Sequence, residues 1–320
     1  MHISQLFGLN IRGHKDIDFI DIDERKDTKL FLDPYVIQAL PDEFCTEARK
    51  SINSFFTEIF RACKSDDKAR LCEMCSYAGE PNETNLGMKS RSDYGKGTTA
   101  DELTPLFLDF YKIVRKNPNI HSDPLALCMY IQNFAEDKMS DLITNILRDA
   151  LYRFTVKQSH FWGMPLHDER HTIGFYWDSK TLSWQKISGN PLLIAGNKIL
   201  LVPKAIVRPR YVFNVDCYIR QYIHKTLQEE HLRRNSELCS IITRANGVNE
   251  LVPPTRKELY EREVRGKTPK NYAFSNSVKD VAAEGRFIRD IHRRINNGYG
   301  AITDAQLDII VYRIDDDISA

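Results

Sequence analysis

The sequence contains no apolar run near the ~18 residues that a membrane-spanning helix needs. Its opening residues, MHISQLFGLNIRGHKDID, lack the apolar core of a secretion signal. There is no internal repeat and no low-complexity tract, which excludes solenoid and fibrous architectures. Cysteine is scattered and odd in number, at Cys45, Cys63, Cys72, Cys75, Cys128, Cys217 and Cys239. Without a signal these read as free thiols in a reducing compartment, so the expected address is the cytoplasm, with no membrane partner. A structural zinc site needs four ligands. Cys72 and Cys75 supply one CxxC, with no second pair nearby, and His167 and His171 stand alone four residues apart, so no zinc is expected. A Walker A loop is missing too. Gly95-Lys96 runs into Gly97 rather than Ser or Thr, Ser90 replaces the leading glycine, and no apolar strand leads in. Nucleophilic catalysis of the Ser–His–Asp or Cys–His kind has no local signature.

What is present is ordinary globular composition, 42% apolar and 28% charged, spread over 320 residues. That length favours two domains over one. The net charge of +1 hides an asymmetry: residues 198–294 carry 20 Lys and Arg against 11 Asp and Glu, a net of +9, which leaves −8 for the remainder. A basic half of this kind suits an anionic partner, or attraction to its own acidic half. The expected fold class is mixed α/β (α+β). An acidic α/β domain over residues 1–160 is followed by a basic domain over 161–320, with β-hairpins first and helices after.

Hydrophobic spacing supplies the elements. Alternation over 17–22 and the short apolar run 29–32 predict strands. Ala48, Ile52, Phe55, Phe56, Ile59 and Phe60 recur at helical spacing, and a second helix is read over 69–77. Residues 79–97 read as a polar loop opening into a helix over 101–115, whose start Thr99 and Glu102 mark as a capping box. The apolar run 125–131 is read as a strand and 138–155 as one amphipathic helix. Strand-like pieces follow at 173–177 and 182–184. A hairpin joins 192–195 to 198–202 through Gly196-Asn197. From 215 onward the chain reads as helical, with a loop near 247–255 and a basic helix over 277–296.

Four groups of residues could carry chemistry. Lys89, Arg91 and Lys96 lie in a glycine-bearing loop before a helix start, where backbone N–H groups favour phosphate. A flexible polar loop ending in an ordinary cap would look the same. Glu83, Asp137 and Asp141, with Glu80 and Glu136 nearby, offer the oxygen ligands that Mg²⁺ prefers. Asp137 and Asp141 stand four apart, on one side of the expected helix with Asn145 and Arg148. First-turn acids that merely complement the helix dipole, on a solvated face, are the plain alternative. Lys204 follows the strand ending at Val202, and certain metal-dependent nucleases place a lysine at a strand end with an acid two residues before it. Val202 occupies that acid's position, so the pattern is incomplete. Finally, Arg286, Arg289 and Arg293 form one face of the basic helix, opposite Phe287, Ile288, Ile291 and Ile295. That face suits nucleic-acid phosphates or is solvated and paired with Glu284 and Asp290.

The runs 131–146 (IQNFAEDKMSDLITNI) and 199–207 (ILLVPKAIV) resemble stretches of uncharacterised bacterial proteins, some of them beside restriction or phage-defence genes. The resemblance implies a nucleic-acid-related role and assigns no catalytic residue. The leading expectation is therefore a nucleic-acid-acting protein of bacterial defence type, in the form of a Mg²⁺-dependent nuclease. In it Asp137, Asp141 and Glu83 hold metal while Lys204 or Lys96 steadies the scissile phosphate. The alternative is a non-catalytic adapter or sensor of a multi-component defence system, which binds another subunit or a nucleotide through the 89–99 loop.

Overall fold

The computed structural model describes residues 1–87, 100–116, 127–280 and 283–312. The chain forms two compact units, and neither follows the expected cut at 160/161. The first comprises Met1–Tyr111, Phe134–Val212 and His292–Ala320; the second comprises Lys112–Asn133 and Phe213–Ile291. The position of the expected boundary lies inside a helix of the first unit.

The first unit begins with α1 (Ile3–Leu6) and an extended segment. The strand expected over 17–22 is reduced there to a single bridge between Phe19 and Pro203. Flanking it, Ile20 N–H donates to the Val202 carbonyl (3.0 Å) and Lys204 N–H to the Asp18 carbonyl (2.9 Å). Ile17, Phe19, Ile20, Asp21 and Ile22 are all buried. The segment therefore threads the interior instead of lining one face of a sheet, which is what alternation alone would imply.

Residues Phe31–Leu32 (β1) pair antiparallel with Val207–Arg208 (β6, taking strands in chain order). Asp33 then caps α2 (Pro34–Ala39), accepting from the N–H groups of Tyr35 and Val36 with Pro34 at the first helical position. Helix α3 (Glu43–Lys64) starts at the cap Asp42 and buries Ala48, Ile52, Phe55, Phe56 and Ile59, the stripe its spacing predicts. A side chain as large as Ile or Phe contributes roughly 1.5–3 kcal/mol when fully buried. Helix α4 (Lys68–Cys75) and helix α5 (Ala100–Lys116) match the helices read over 69–77 and 101–115. Thr99, the expected cap of α5, lies outside the described residues.

Where the sequence suggests one helix over 138–155, there are two. Helix α7 (Glu136–Ile146) stops at Leu147, whose ψ of 7° is not helical, and α8 (Arg148–Trp162) starts directly after it. Strands β2 (His171–Asp178) and β3 (Ser183–Gly189) form a hairpin anchored by two tryptophans. Trp177 and Trp184 meet Phe55 edge-on at 5.1 and 5.8 Å, with their indole N–H groups donating to Ser54 Oγ and the Met74 carbonyl.

The next hairpin, β4 (Leu192–Ile194) and β5 (Asn197–Ile199), turns through Ala195-Gly196, one residue earlier than expected. Both turn residues have positive φ (49° and 83°), so glycine takes the second central position of the turn and Asn197 is left to pair with Ile194. Residues 200–202 leave the hairpin for other partners: Leu200 N–H donates to the Glu83 carbonyl and Leu201 N–H to Thr155 Oγ1.

The second unit contains α6 (Leu127–Tyr130), a helical turn where the apolar run 125–131 predicts a strand. Helix α9 (Val215–Tyr218) runs through a π-helical turn, Ile219–Ile223, into α10 (His224–Arg234). A hairpin, β7 (Ser240–Thr243) with β8 (Asn249–Val252), interrupts the region read as helical. Helices α11 (Arg256–Leu259), α12 (Pro269–Ser277) and α13 (Ala283–Asn296) follow, of which α13 belongs to this unit as far as Ile291. Ser277 Oγ bridges the buried hydroxyls of Tyr130 and Tyr218 at 3.1 and 2.9 Å.

Helix α14 (Asp304–Tyr312) completes the first unit through polar contacts. Asp308 Oδ1 accepts from the His14 backbone N–H and lies 2.7 Å from the buried His14 Nδ1. The Tyr312 hydroxyl donates to Asp21 Oδ2 (2.9 Å). Helices and short antiparallel strand pairs thus make up a mixed, α+β fold.

Candidate functional site

The polar side of α7 is not solvated. Asp141 is only 9% exposed, and Asn145 and Arg148 are buried with it. Asn145 Nδ2 donates to the Gly79 carbonyl (2.6 Å) and to the Asp141 carbonyl (2.9 Å), while its Oδ1 accepts from Arg148 Nη2 (2.6 Å). Arg148 Nη1 lies 2.8 Å from Glu83 Oε1 as an ion pair. The arginine side chain passes β2 where the strand bulges, at Thr172/Gly174. Gly174 has φ of 151°, and a Cβ there would come within 2.5 Å of Arg148 Cδ. A side chain at 174 would displace the arginine.

Three segments bring acids to Asp141. Asp137 precedes it by one turn, Glu80 comes from the segment after α4, and Asp27 from the N-terminal region. The 27–28 and 85–87 segments are laced together: Thr28 N–H donates to the Asn85 carbonyl (2.9 Å) and Gly87 N–H to the Thr28 carbonyl (3.0 Å). Gly87, at φ 119°, lets the backbone pass so close to Asp137 that a Cβ would sit 3.1 Å from its Oδ1. Burial, then the charges of Asp137, Glu80 and Asp27, push the Asp141 carboxyl up to about 8. Glu80 is pushed up as well, by burial and then by Asp27 and Asp137. Among the described residues no donor bonds the Asp141 carboxyl. It is a buried acid held protonated near neutral pH by its burial and by the acids around it.

The other expected site residues are placed elsewhere or otherwise engaged. Glu83 belongs to the Arg148–Asn145 network. Lys204 turns to the opposite terminus of the unit, its Nζ donating to Asp304 Oδ1 (2.7 Å) and to the His14 carbonyl (2.5 Å). It is therefore not joined to Asp137 and Asp141, because the chain beyond Val202 pairs with the N-terminal segment. Lys89, Arg91 and Lys96 lie outside the described residues. Arg286, Arg289 and Arg293 are exposed along α13 while Phe287, Ile291 and Ile295 are buried, as their spacing predicts. Arg286 pairs with Asp280 at 2.8 Å. Of the CxxC pair, Cys72 is exposed and Cys75 buried, with burial pushing the Cys75 thiol up to about 12.

Sequence reasoning misses Asp27 and its neighbours. A cleft of about 270 Å³ lies beside Asp27, lined also by His2, Lys26, Thr28, Lys29 and Tyr312. Its one sequence signal is the charged run Asp23-Glu24-Arg25-Lys26-Asp27, which reads locally as a solvated turn. Carboxylate oxygens are the right donor type for Mg²⁺. Among the described residues, however, no three acids stand close enough to share one ion. Mg²⁺ is commonly bound through one or two carboxylates with water and phosphate completing the shell. Asp141 and Asp137 fit that pattern by chemistry and by helical spacing. None of the helices, among the described residues, is long and apolar enough to cross a membrane.

No curated protein and no solved structure matches the chain. A family model, described as Domain of unknown function (DUF8370), matches residues 8–214. That span takes in Asp27, Glu80, Glu83, Asp137, Asp141 and Arg148 and stops before α13. Since it covers well over half of the 320 residues, the chain belongs to the DUF8370 family.

Proposed function

We propose that the Asp27–Glu80–Asp137–Asp141 cluster is the working site of a Mg²⁺-dependent enzyme that cleaves nucleic-acid phosphodiesters in the cytoplasm. Asp141 carries this reading. Largely buried, and with no donor on its carboxyl among the described residues, it feels the charges of three further acids, an arrangement that costs stability and that a bound cation would relieve. Asp141 and Asp137 would hold the ion, which supplies charge neutralisation at a phosphate oxygen. Lys26 and Lys29, beside Asp27, take the phosphate-steadying role that the sequence suggests for Lys204 and Lys96. The exposed arginines of α13 would bind the polymer backbone. Because metal requires the ionised carboxylate, binding would expel the Asp141 proton, and activity should rise as pH approaches 8.

A second reading, the adapter of a multi-component defence system, is favoured by the β7–β8 hairpin. Both of its strands are exposed, with Ile241, Ile242 and Leu251 at the surface, and isolated two-stranded hairpins are marginal unless covered.

The test is a panel of single- and double-stranded DNA and RNA with Mg²⁺ or Mn²⁺, with EDTA as control. Cleavage should fall by several orders of magnitude in Asp141→Asn and Asp137→Asn, while Lys204→Ala stays near the unaltered protein. Absence of cleavage on every substrate would favour the adapter. Cleavage that persists in Asp141→Asn would remove this site from consideration.

A further inference from the structure

His167 and His171 lie on the first unit and have no part in the roles assigned above. His171 Nε2 stands 3.2 Å from His167 Nδ1, with the rings 4.9 Å apart and inclined at 76°. His167 Nδ1 also lies 3.2 Å from the Glu169 backbone N–H and 3.4 Å from the Glu169 carbonyl oxygen, both long contacts within its own turn. The backbone under the pair is fixed. His167 N–H donates to the Pro191 carbonyl (2.8 Å), and Asn190 Nδ2 donates to the carbonyls of His167 (2.8 Å) and Asp168 (2.9 Å). His171 begins β2 and pairs with Gly189. Two imidazoles on a tetrahedral Zn²⁺, each nitrogen at about 2.0–2.1 Å, stand roughly 3.3 Å apart. The separation in the protein already matches this bite. His171 is exposed and His167 half-buried beside it, so water can complete the coordination shell and no buried charge results.

We infer that His167 and His171 form an open, exchangeable binding site for a borderline divalent transition ion such as Zn²⁺, Ni²⁺ or Cu²⁺. The ion sits off the line between the two nitrogens and is bound by their lone pairs, and the proton held between the rings passes to the other nitrogen of its own ring or to solvent. Such a site has two protein ligands and differs from a structural zinc site, so chelator-treated protein starts metal-free. Imidazole suits these ions, whereas Mg²⁺ prefers oxygen and would not compete.

The experiment uses untagged full-length protein stripped with EDTA and titrated with Cu²⁺, Ni²⁺ and Zn²⁺ by calorimetry. One ion per chain should bind in the micromolar range, with Cu²⁺ tightest, and the Cu²⁺ EPR spectrum should show nitrogen coupling from two imidazoles. His167→Ala and His171→Ala should each weaken that binding at least tenfold with circular dichroism unchanged. An affinity that survives in the double variant, or an EPR spectrum without two-nitrogen coupling, overturns the assignment. Saturating Mg²⁺ should leave the titration unmoved, and competition by Mg²⁺ would equally sink it.

Discussion

In the first unit Asp33, Asp141, Arg148 and Arg208 all lie buried, each within reach of opposite or like charge. The second unit holds Arg286 and Arg289 at the surface of α13 and leaves both strands of the β7–β8 hairpin open, with Glu284 as its buried exception. The hairpins repeat the contrast. Strands β2 and β3 are clamped to α3 and α4 by Trp177 and Trp184, whereas β7 and β8 pack on little. Charge held in the interior is positioned by specific neighbours and carries a chemical state of its own. Charge at the surface contributes a field that salt can screen. Altering the first kind should thus change folding and protonation, and altering the second should change only binding.

The sharpest break of this contrast is Arg148→Met. Removing the guanidinium leaves Glu83 and Asn145 without their buried partner, and such losses typically cost about 3–5 kcal/mol. Urea denaturation should show a midpoint lowered accordingly. A variant as stable as the parent would mean the network adds nothing.

Asp141→Asn should act in the opposite direction and only at higher pH. The folded protein keeps a proton on Asp141 up to about pH 8, whereas the unfolded chain releases it near the ordinary carboxyl value of 3.8. Between these values the folded state binds more protons, so its stability declines as pH rises through that window. The asparagine variant escapes the decline. It should match the parent near pH 4 and exceed it by a few kcal/mol above pH 8, as read from denaturation midpoints across pH. Any loss of cleavage in this variant would then not be a folding defect. Equal pH profiles for the two proteins would show that neither burial nor the neighbouring acids raise the Asp141 carboxyl.

The smallest stability effect belongs to α13. Replacing Arg286, Arg289 and Arg293 together with Ala should move stability by less than about 1 kcal/mol, since these are exposed groups. The same variant should bind nucleic acid more weakly and with a flatter salt dependence, by about 0.9 in the logarithmic slope for each phosphate that the arginines no longer neutralise. An unchanged slope would return the helix to the status of a solvated face.

These regions also differ in how far the sequence discloses them. The stripes of α3 and α13 are legible because one buried face against one solvated face produces a 3.6-residue rhythm. Residues 17–22 mislead because both sides of the segment are buried, and 125–131 because a short apolar run carries no rhythm. The spacing of Asp137 and Asp141 is readable, and their shared side of α7 with it. The burial of Asp141 is not, since the residues packed around its side of α7, Gly79, Glu83 and Gly174, come from distant parts of the chain. Asp27 gives no signal for the same reason.

The passage of Arg148 past Gly174 has a kinetic meaning. The acid cluster and the Arg148 network need residues 27, 80, 83, 141, 148 and 174 in place together, and these come from segments distant in sequence. Their assembly is therefore a search with high contact order. The helices can form from local contacts, whereas the place of Arg148 between Glu83 and Gly174 needs the β2–β3 hairpin docked. A chain with α7 and α8 formed and this hairpin loose would have every acid present in its helix or loop and the Arg148 network open. Competence at this site should appear last, with the closing of the hairpin.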